Sequence, residues 1–205
     1  FVNKEKWHPL PKEEVLRLRE DLGLDQHQFI VVGAGQVQKR KGIDDFIRLA
    51  EELPQITFIW AGGFSFGGMT DGYEKYKKMM ENPPKNLLFP GIVTPERMRE
   101  LYSLADIFLL PSYNELFPMT ILEAASCDAP IMLRDLDLYK VILEGNYHAT
   151  ADKDEMKQSI LEYQKNPDSL KELKEKAKKI SREYSEEHLL QIWLEFYQEQ
   201  AALGR

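Results

Sequence analysis

Two glutamates and a lysine carry the chemistry this sequence offers. Glu115 closes a polar loop that begins at Ser112, and Glu123 follows inside a stretch of good helix formers. Carboxylates accept hydrogen bonds from O–H groups, so they suit sugars and ribose. Between them stand Phe117, Pro118, Met119 and Thr120, where a helix begins. Free N–H groups at a helix N-terminus suit phosphate. Lys41 comes earlier, in the basic stretch Ala34-Gly-Gln-Val-Gln-Lys-Arg-Lys-Gly42. Hydroxyl acceptors beside phosphate donors describe a site for a ligand that carries both groups.

Strands alternating with helices must position these residues. Residues 107–110 are a short apolar run closed by Pro111, which suits a strand buried on both faces of a parallel sheet. The loop bearing Glu115 then lies at its carboxyl end, and Pro118 fits the first turn of the helix that follows. Residues 28–33 form a first strand that runs into the Lys41 loop, with a helix at 43–53 after it. Strand, glycine-bearing basic loop and helix is the phosphate-binding order of α/β folds. Further strands are expected at 56–61, 87–89 and 130–133, with a weak sixth, or its remnant, at 147–150. A long glycine-rich stretch, 62–72, leads to a helix through Met80. Thr94-Pro95 supplies the cap and first residue for a helix at 96–105, and 134–139 reads as a loop. Helices are expected at 12–21, 152–164, 167–182 and 185–203. The pattern predicts a Rossmann-like, doubly wound parallel sheet of about six strands with C-terminal helices.

Composition narrows the function. The 205 residues are 43% hydrophobic and 30% charged, as in one globular domain with a sizeable core. A net charge of -7 argues against nucleic acid as a partner, because phosphate contacts need clustered Lys and Arg. Cys127 stands alone, so no internal disulfide forms, and it reads as a small residue at a helix end. His8, His27, His148 and His188 are scattered and lack ligand spacing, so no metal is expected. Asp135-Leu-Asp137 reads as a plain polar turn, and 171–179, where lysines alternate with Glu172 and Glu175, as a solvated helix face. No start methionine or signal-peptide layout is present, and residues 1–11 read as a connector in a piece of a longer chain.

Four pieces recur in a telling order. Val32-Gly33 through Lys41-Gly42 follows the first strand, and Gly91-Ile-Val follows the third. Ala105-Asp-Ile-Phe-Leu-Leu-Pro-Ser precedes the polar loop, and Glu115 and Glu123 have the spacing Glu-x7-Glu. This order resembles the nucleotide-sugar-binding half of the family 4 retaining glycosyltransferases, which have the two-Rossmann-domain GT-B architecture. The resemblance implies that Lys41 and Glu115 are the catalytic pair: Lys41 binds the donor diphosphate and Glu115 contacts the donor sugar. It implies that Glu123 holds the ribose hydroxyls and that Val93 meets the base. Phe117, Pro118, Met119 and Thr120 then face sugar and phosphate, while Gly33, Gly35, Gln36 and Arg40 complete the phosphate loop.

The same resemblance makes residues 1–205 the donor half. Residues 185–205 then form a closing helix that crosses to an N-terminal acceptor domain outside this sequence. The donor is expected to be a UDP-hexose, with no metal or other cofactor, and the acceptor a glycan or lipid at the membrane surface. The place is the cytoplasm, with peripheral attachment to the inner face of the membrane. Gln36 replaces an arginine of many members, and Leu116, Pro118 and Asp128 replace glycines. These departures resemble a Gram-positive branch that adds hexoses to glucosyl-diacylglycerol. Another GT-B enzyme, such as an epimerase or phosphorylase, would use the same half, and a noncatalytic sugar-nucleotide-binding or partner-docking module is a further reading. A dinucleotide dehydrogenase fits least, because Gln38 stands where Gly-x-Gly-x-x-Gly needs its last glycine.

Overall fold

β1 (Ile30–Ala34) is buried along its whole length because it lies in the middle of a sheet covered on both faces. In this computed structural model, which describes residues 1–64, 67–70 and 72–203, its neighbours are all parallel. The other strands are β2 (Thr57–Ala61), β3 (Leu87–Gly91), β4 (Ile107–Leu110), β5 (Ile131–Arg134) and β6 (His148–Thr150). Among the described residues they form a six-stranded sheet in the order β3-β2-β1-β4-β5-β6. The winding reverses between β1 and β4, so the crevice at their carboxyl ends is the topological switch point. Ser65, Phe66 and Asp71 of the glycine-rich stretch, with Gly204 and Arg205, lie outside the described residues.

Nine helices are described: α1 (Lys12–Asp21), α2 (Ile43–Glu52), α3 (Tyr73–Glu81), α4 (Pro95–Leu104), α5 (Met119–Ser126), α6 (Asp137–Leu143), α7 (Lys153–Lys165), α8 (Leu170–Glu183) and α9 (Glu186–Leu203). Alternation along β1 sorts the core into two layers. Ile30, Val32 and Ala34 pack with Tyr102 of α4, Leu122 of α5 and Ile180 of α8. Val31 packs with Phe46 of α2 and Met156 and Ile160 of α7. Each such buried side chain contributes roughly 1.5–3 kcal/mol. Gly33 shows how tight the second layer is: a Cβ there would stand 2.6 Å from the Trp60 ring and 2.8 Å from Phe46.

Two helix ends are closed by local geometry, the first as the sequence reads. Thr94 Oγ1 accepts the Arg97 N–H at 3.3 Å, with Pro95 as first residue of α4. α5 ends in a Schellman motif: Asp128 donates to Ala125 O and Ala129 to Ala124 O, both at 3.1 Å, and Asp128 takes φ 59°. That left-handed residue stands where the resemblance expects glycine.

Two expectations need correction. Residues 134–139 are not a loop, because Arg134 ends β5 and α6 begins at Asp137. Tyr139 and Leu143, four apart, are buried on one face of that short helix. The weak sixth strand forms as expected, and His148–Thr150 pairs in register with Met132, Leu133 and Arg134. Residues 1–11 also do more than connect. Val2 bridges to Ser185, Trp7 packs on Tyr102 at 5.8 Å, and the Leu10 N–H reaches Ser103 Oγ at 3.1 Å. α9 carries its apolar spacing outward: Trp193, Phe196 and Tyr197 are exposed and pack on one another. No helix among the described residues is long and apolar enough to cross a membrane.

Candidate functional site

After β1 the chain makes one 3₁₀ turn, Lys39–Lys41, and enters α2 through Gly42. Gly42 takes φ 73°, and a Cβ there would lie 2.2 Å from Pro111 O, so the turn sits against the end of β4. Two further ties hold the loops together. The Tyr113 N–H donates to Arg40 O at 2.9 Å, and Ser112 Oγ reaches Lys41 O at 3.5 Å.

This clamp brings the two predicted catalytic residues into contact. Lys41 Nζ lies 2.6 Å from Glu115 Oε1, and Arg40 Nη1 lies 3.6 Å from Glu115 Oε2. Arg40 also donates to Asn114 O at 3.1 Å. The Glu115 side chain is 4% exposed and that of Lys41 14% exposed, so neither charge could stand there unpaired. Gly35 leaves room for the lysine stem, which passes 3.6 Å from where its Cβ would be. Its N–H donates to Ala61 O at 2.9 Å and its carbonyl accepts from Trp60 Nε1 at 3.1 Å, which fixes the loop to β2. Gln36 accepts from the Gln38 side chain. Gly33 lies within β1, where its missing side chain serves packing.

The α5 end differs slightly from expectation. Pro118 is the N-cap, in extended conformation (φ -77°, ψ 104°), one residue ahead of the first turn. Its carbonyl accepts the Ile121 N–H at 3.1 Å, and Met119 and Thr120 open the helix. Phe117 and Met119 are part-exposed, Leu116 is fully exposed, and the Phe117 ring lies 5.6 Å from Tyr184. Glu123 is half-buried farther along α5, and its carboxylate accepts from Tyr102 Oη at 3.1 Å. Burial raises its pKa above the ordinary carboxylate value, opposed by the Tyr102 hydroxyl and by Lys6. Val93 is half-buried in the loop after β3 and packs on the core, next to exposed Ile92. Gly63, after β2, meets Ile92: a Cβ there would lie 3.1 Å from its side chain.

Sequence reasoning missed a second cluster behind the loop. Arg134 at the end of β5 lies 2.5 Å from Asp45 Oδ2 in α2, and its Nε and Nη1 donate to Pro111 O and Ala151 O, each at 3.1 Å. Its guanidinium stacks 4.1 Å from the centre of the Tyr113 ring, and Tyr113 Oη donates to Asp45 Oδ2 at 2.6 Å. That hydrogen bond, helped by burial, raises the Tyr113 pKa. One signal was available: an arginine ends an apolar strand, and an aspartate sits on the apolar face of α2. By contrast, Asp135 and Asp137 pair with Lys140, at 3.3 and 3.2 Å.

A cation–carboxylate pair at a switch point, with a helix N-terminus opening four residues later, can receive a ligand that carries phosphate and hydroxyl groups. The family model for glycosyl transferases group 1 matches residues 15–180. The chain is 86% identical over 205 residues to alpha-galactosylglucosyldiacylglycerol synthase of Streptococcus pneumoniae (strain ATCC BAA-255 / R6), covering 100% of this chain and 55% of that protein. It thus spans about half the length of that curated relative. The fold also matches the crystal structure of Anabaena HepE in complex with UDP and glucose, with a TM-score of 0.80 at 18% identity over 98% of this chain and 55% of that one. The C-terminal domain of a glycosyl transferase group 1 family protein (LpcC) from Francisella tularensis, crystallised by itself, matches with a TM-score of 0.71 at 15% identity, covering 90% of this chain and 98% of that one. With sequence, sheet order and family match in agreement, this chain belongs to the group 1 glycosyl transferases.

Proposed function

We propose that this chain is the donor-binding half of a retaining hexosyltransferase that takes a UDP-hexose and extends a diacylglycerol glycolipid. The observation that carries the reading is the 2.6 Å Lys41–Glu115 pair at the β1/β4 switch point. The acceptor class rests on the name of the pneumococcal relative. Lys41, Arg40 and the N-terminus of α5 stabilise negative charge growing on the leaving diphosphate, without a metal. Glu115 orients the hexose, Glu123 holds the ribose hydroxyls and Val93 meets the base. The acceptor is held largely by sequence outside this chain, at the cytoplasmic face of the membrane. Closure of the two halves expels water, so that the acceptor attacks instead of solvent.

Calorimetric titration with UDP, UDP-glucose, UDP-galactose and NAD tests the reading. A uridine ligand should bind, and Lys41→Ala should weaken it by roughly tenfold or more, as loss of a charge-assisted contact demands. Binding of NAD alone, or uridine binding indifferent to Lys41, would overturn it. Product analysis with the full-length protein then separates hexosyl transfer from epimerisation or phosphorolysis.

A further inference from the structure

The Lys41–Glu115 pair has a second consequence, which rests on the donor reading above. Both cations placed to meet a diphosphate already touch one carboxylate, Lys41 at 2.6 Å and Arg40 at 3.6 Å. The Arg40 side chain is 44% exposed and shared with Asn114 O, so its hold is the looser. The Glu115 side chain is 4% exposed, so losing a cation leaves its charge poorly solvated.

A phosphate oxygen arriving at Lys41 has two options. It can draw the ammonium away from Glu115, which leaves a buried carboxylate poorly paired. Or it can share the ammonium, which puts two anions within about 5 Å of each other across two hydrogen bonds. Both are unfavourable unless something donates to the carboxylate. The hydroxyls of a hexose can do so. A nucleoside diphosphate without its sugar brings no hydroxyl to that point.

We infer that Glu115 is a specificity-determining counter-anion that sets the site against sugar-free nucleoside diphosphate. An intact donor brings both the anion for Lys41 and the hydroxyls for Glu115. Once the hexose has left, those hydroxyls are gone, the carboxylate recovers Lys41, and the spent diphosphate is displaced. The ion pair of the ligand-free site thus favours substrate entry and product exit.

Glu115→Gln keeps the shape and removes the charge. In calorimetry, the variant should bind UDP about tenfold tighter than the wild type, since a facing anion has been removed. UDP-glucose and UDP-galactose should gain less, so that the preference for intact donor shrinks. A variant that binds UDP no tighter than wild type overturns the inference. Circular dichroism and a melting curve establish whether the variant folds. If it does not, the wild type decides: one UDP-hexose must bind about tenfold tighter than UDP, and equal or weaker binding overturns the inference. Wild type that binds no uridine ligand at all overturns the donor reading as well, whereas donor binding with an unimproved variant overturns only the counter-anion.

Discussion

Arg134, the last residue of β5, and Asp45, in the first turns of α2, form a 2.5 Å ion pair tied to both ends of the switch-point crevice. Through Pro111 O and the Tyr113 ring it holds the root of the loop that carries Glu115, and through α2 it holds the helix that follows Lys41. Two charges buried this deeply need each other more than the fold needs them, because removing one leaves the other uncompensated. Arg134→Met should therefore cost about 3–5 kcal/mol of unfolding free energy. Adding Asp45→Asn should return part of that loss. Chemical denaturation of the two single variants and the double variant closes the cycle, and purely additive losses would refute the coupling.

How much of this was legible in the sequence depends on whether the signal was local. Ile107–Leu110 closed by Pro111, and the Thr94-Pro95 cap, report their own geometry, and the structure places them as read. Lys41 and Glu115 were each visible as loop residues after strands, and the parallel pairing of β1 with β4 converts that into contact. α6 was missed because its polar start, Asp135 to Asp137, looks like a turn and its two buried residues are too few to show a period. The Arg134–Asp45 pair was missed because its partners lie 89 residues apart, and no local pattern couples them. The packing that excludes a side chain at Gly33 was not legible, because the Trp60 and Phe46 rings that meet it come from β2 and α2.

Glu123 is half-buried in α5, and its charge opposes stability there. Its pKa is raised mainly by burial, so the native state binds a proton more readily than the unfolded chain. Stability then falls as pH rises from the ordinary carboxylate value through the raised one, and at about pH 7 the ionised group is a net cost. Glu123→Gln, which still accepts from Tyr102, should be at least as stable as wild type at about pH 7, with the difference vanishing near pH 4. UDP binding should weaken by roughly tenfold if the carboxylate holds ribose hydroxyls. Denaturation at the two pH values and calorimetry at the higher one check both halves. A variant less stable at neutral pH would show that Glu123 is a needed ion partner instead.

Asp128 occupies the left-handed position just past Cys127, the C-cap of α5, with φ 59°. Glycine adopts that conformation freely, aspartate tolerates it, and alanine meets its Cβ penalty. Asp128→Gly should therefore be more stable than Asp128→Ala by about 1 kcal/mol. Thermal melting of the two variants measures the gap directly. Equal melting temperatures would mean that the Schellman geometry is not held in solution.

His148 anchors the edge strand β6 to α7, with Ser159 Oγ 2.9 Å from Nε2 and Tyr163 Oη 3.1 Å from Nδ1. Burial lowers its pKa, with Lys176 acting the same way and Glu155 and Glu162 opposing. The native state therefore keeps the ring neutral at a pH where the unfolded chain already takes a proton. The contribution to stability is complete above about pH 6.5 and is lost as pH falls from there through the folded value. His8, His27 and His188 are exposed, which leaves His148 as the half-buried histidine among the described residues. Wild type should lose more unfolding free energy between about pH 7 and pH 5 than His148→Gln, whose amide cannot titrate. Denaturant titrations at those two pH values give the comparison. Parallel losses in the two proteins would assign the acid sensitivity to carboxylates elsewhere and leave β6 held by its ladder to β5 alone.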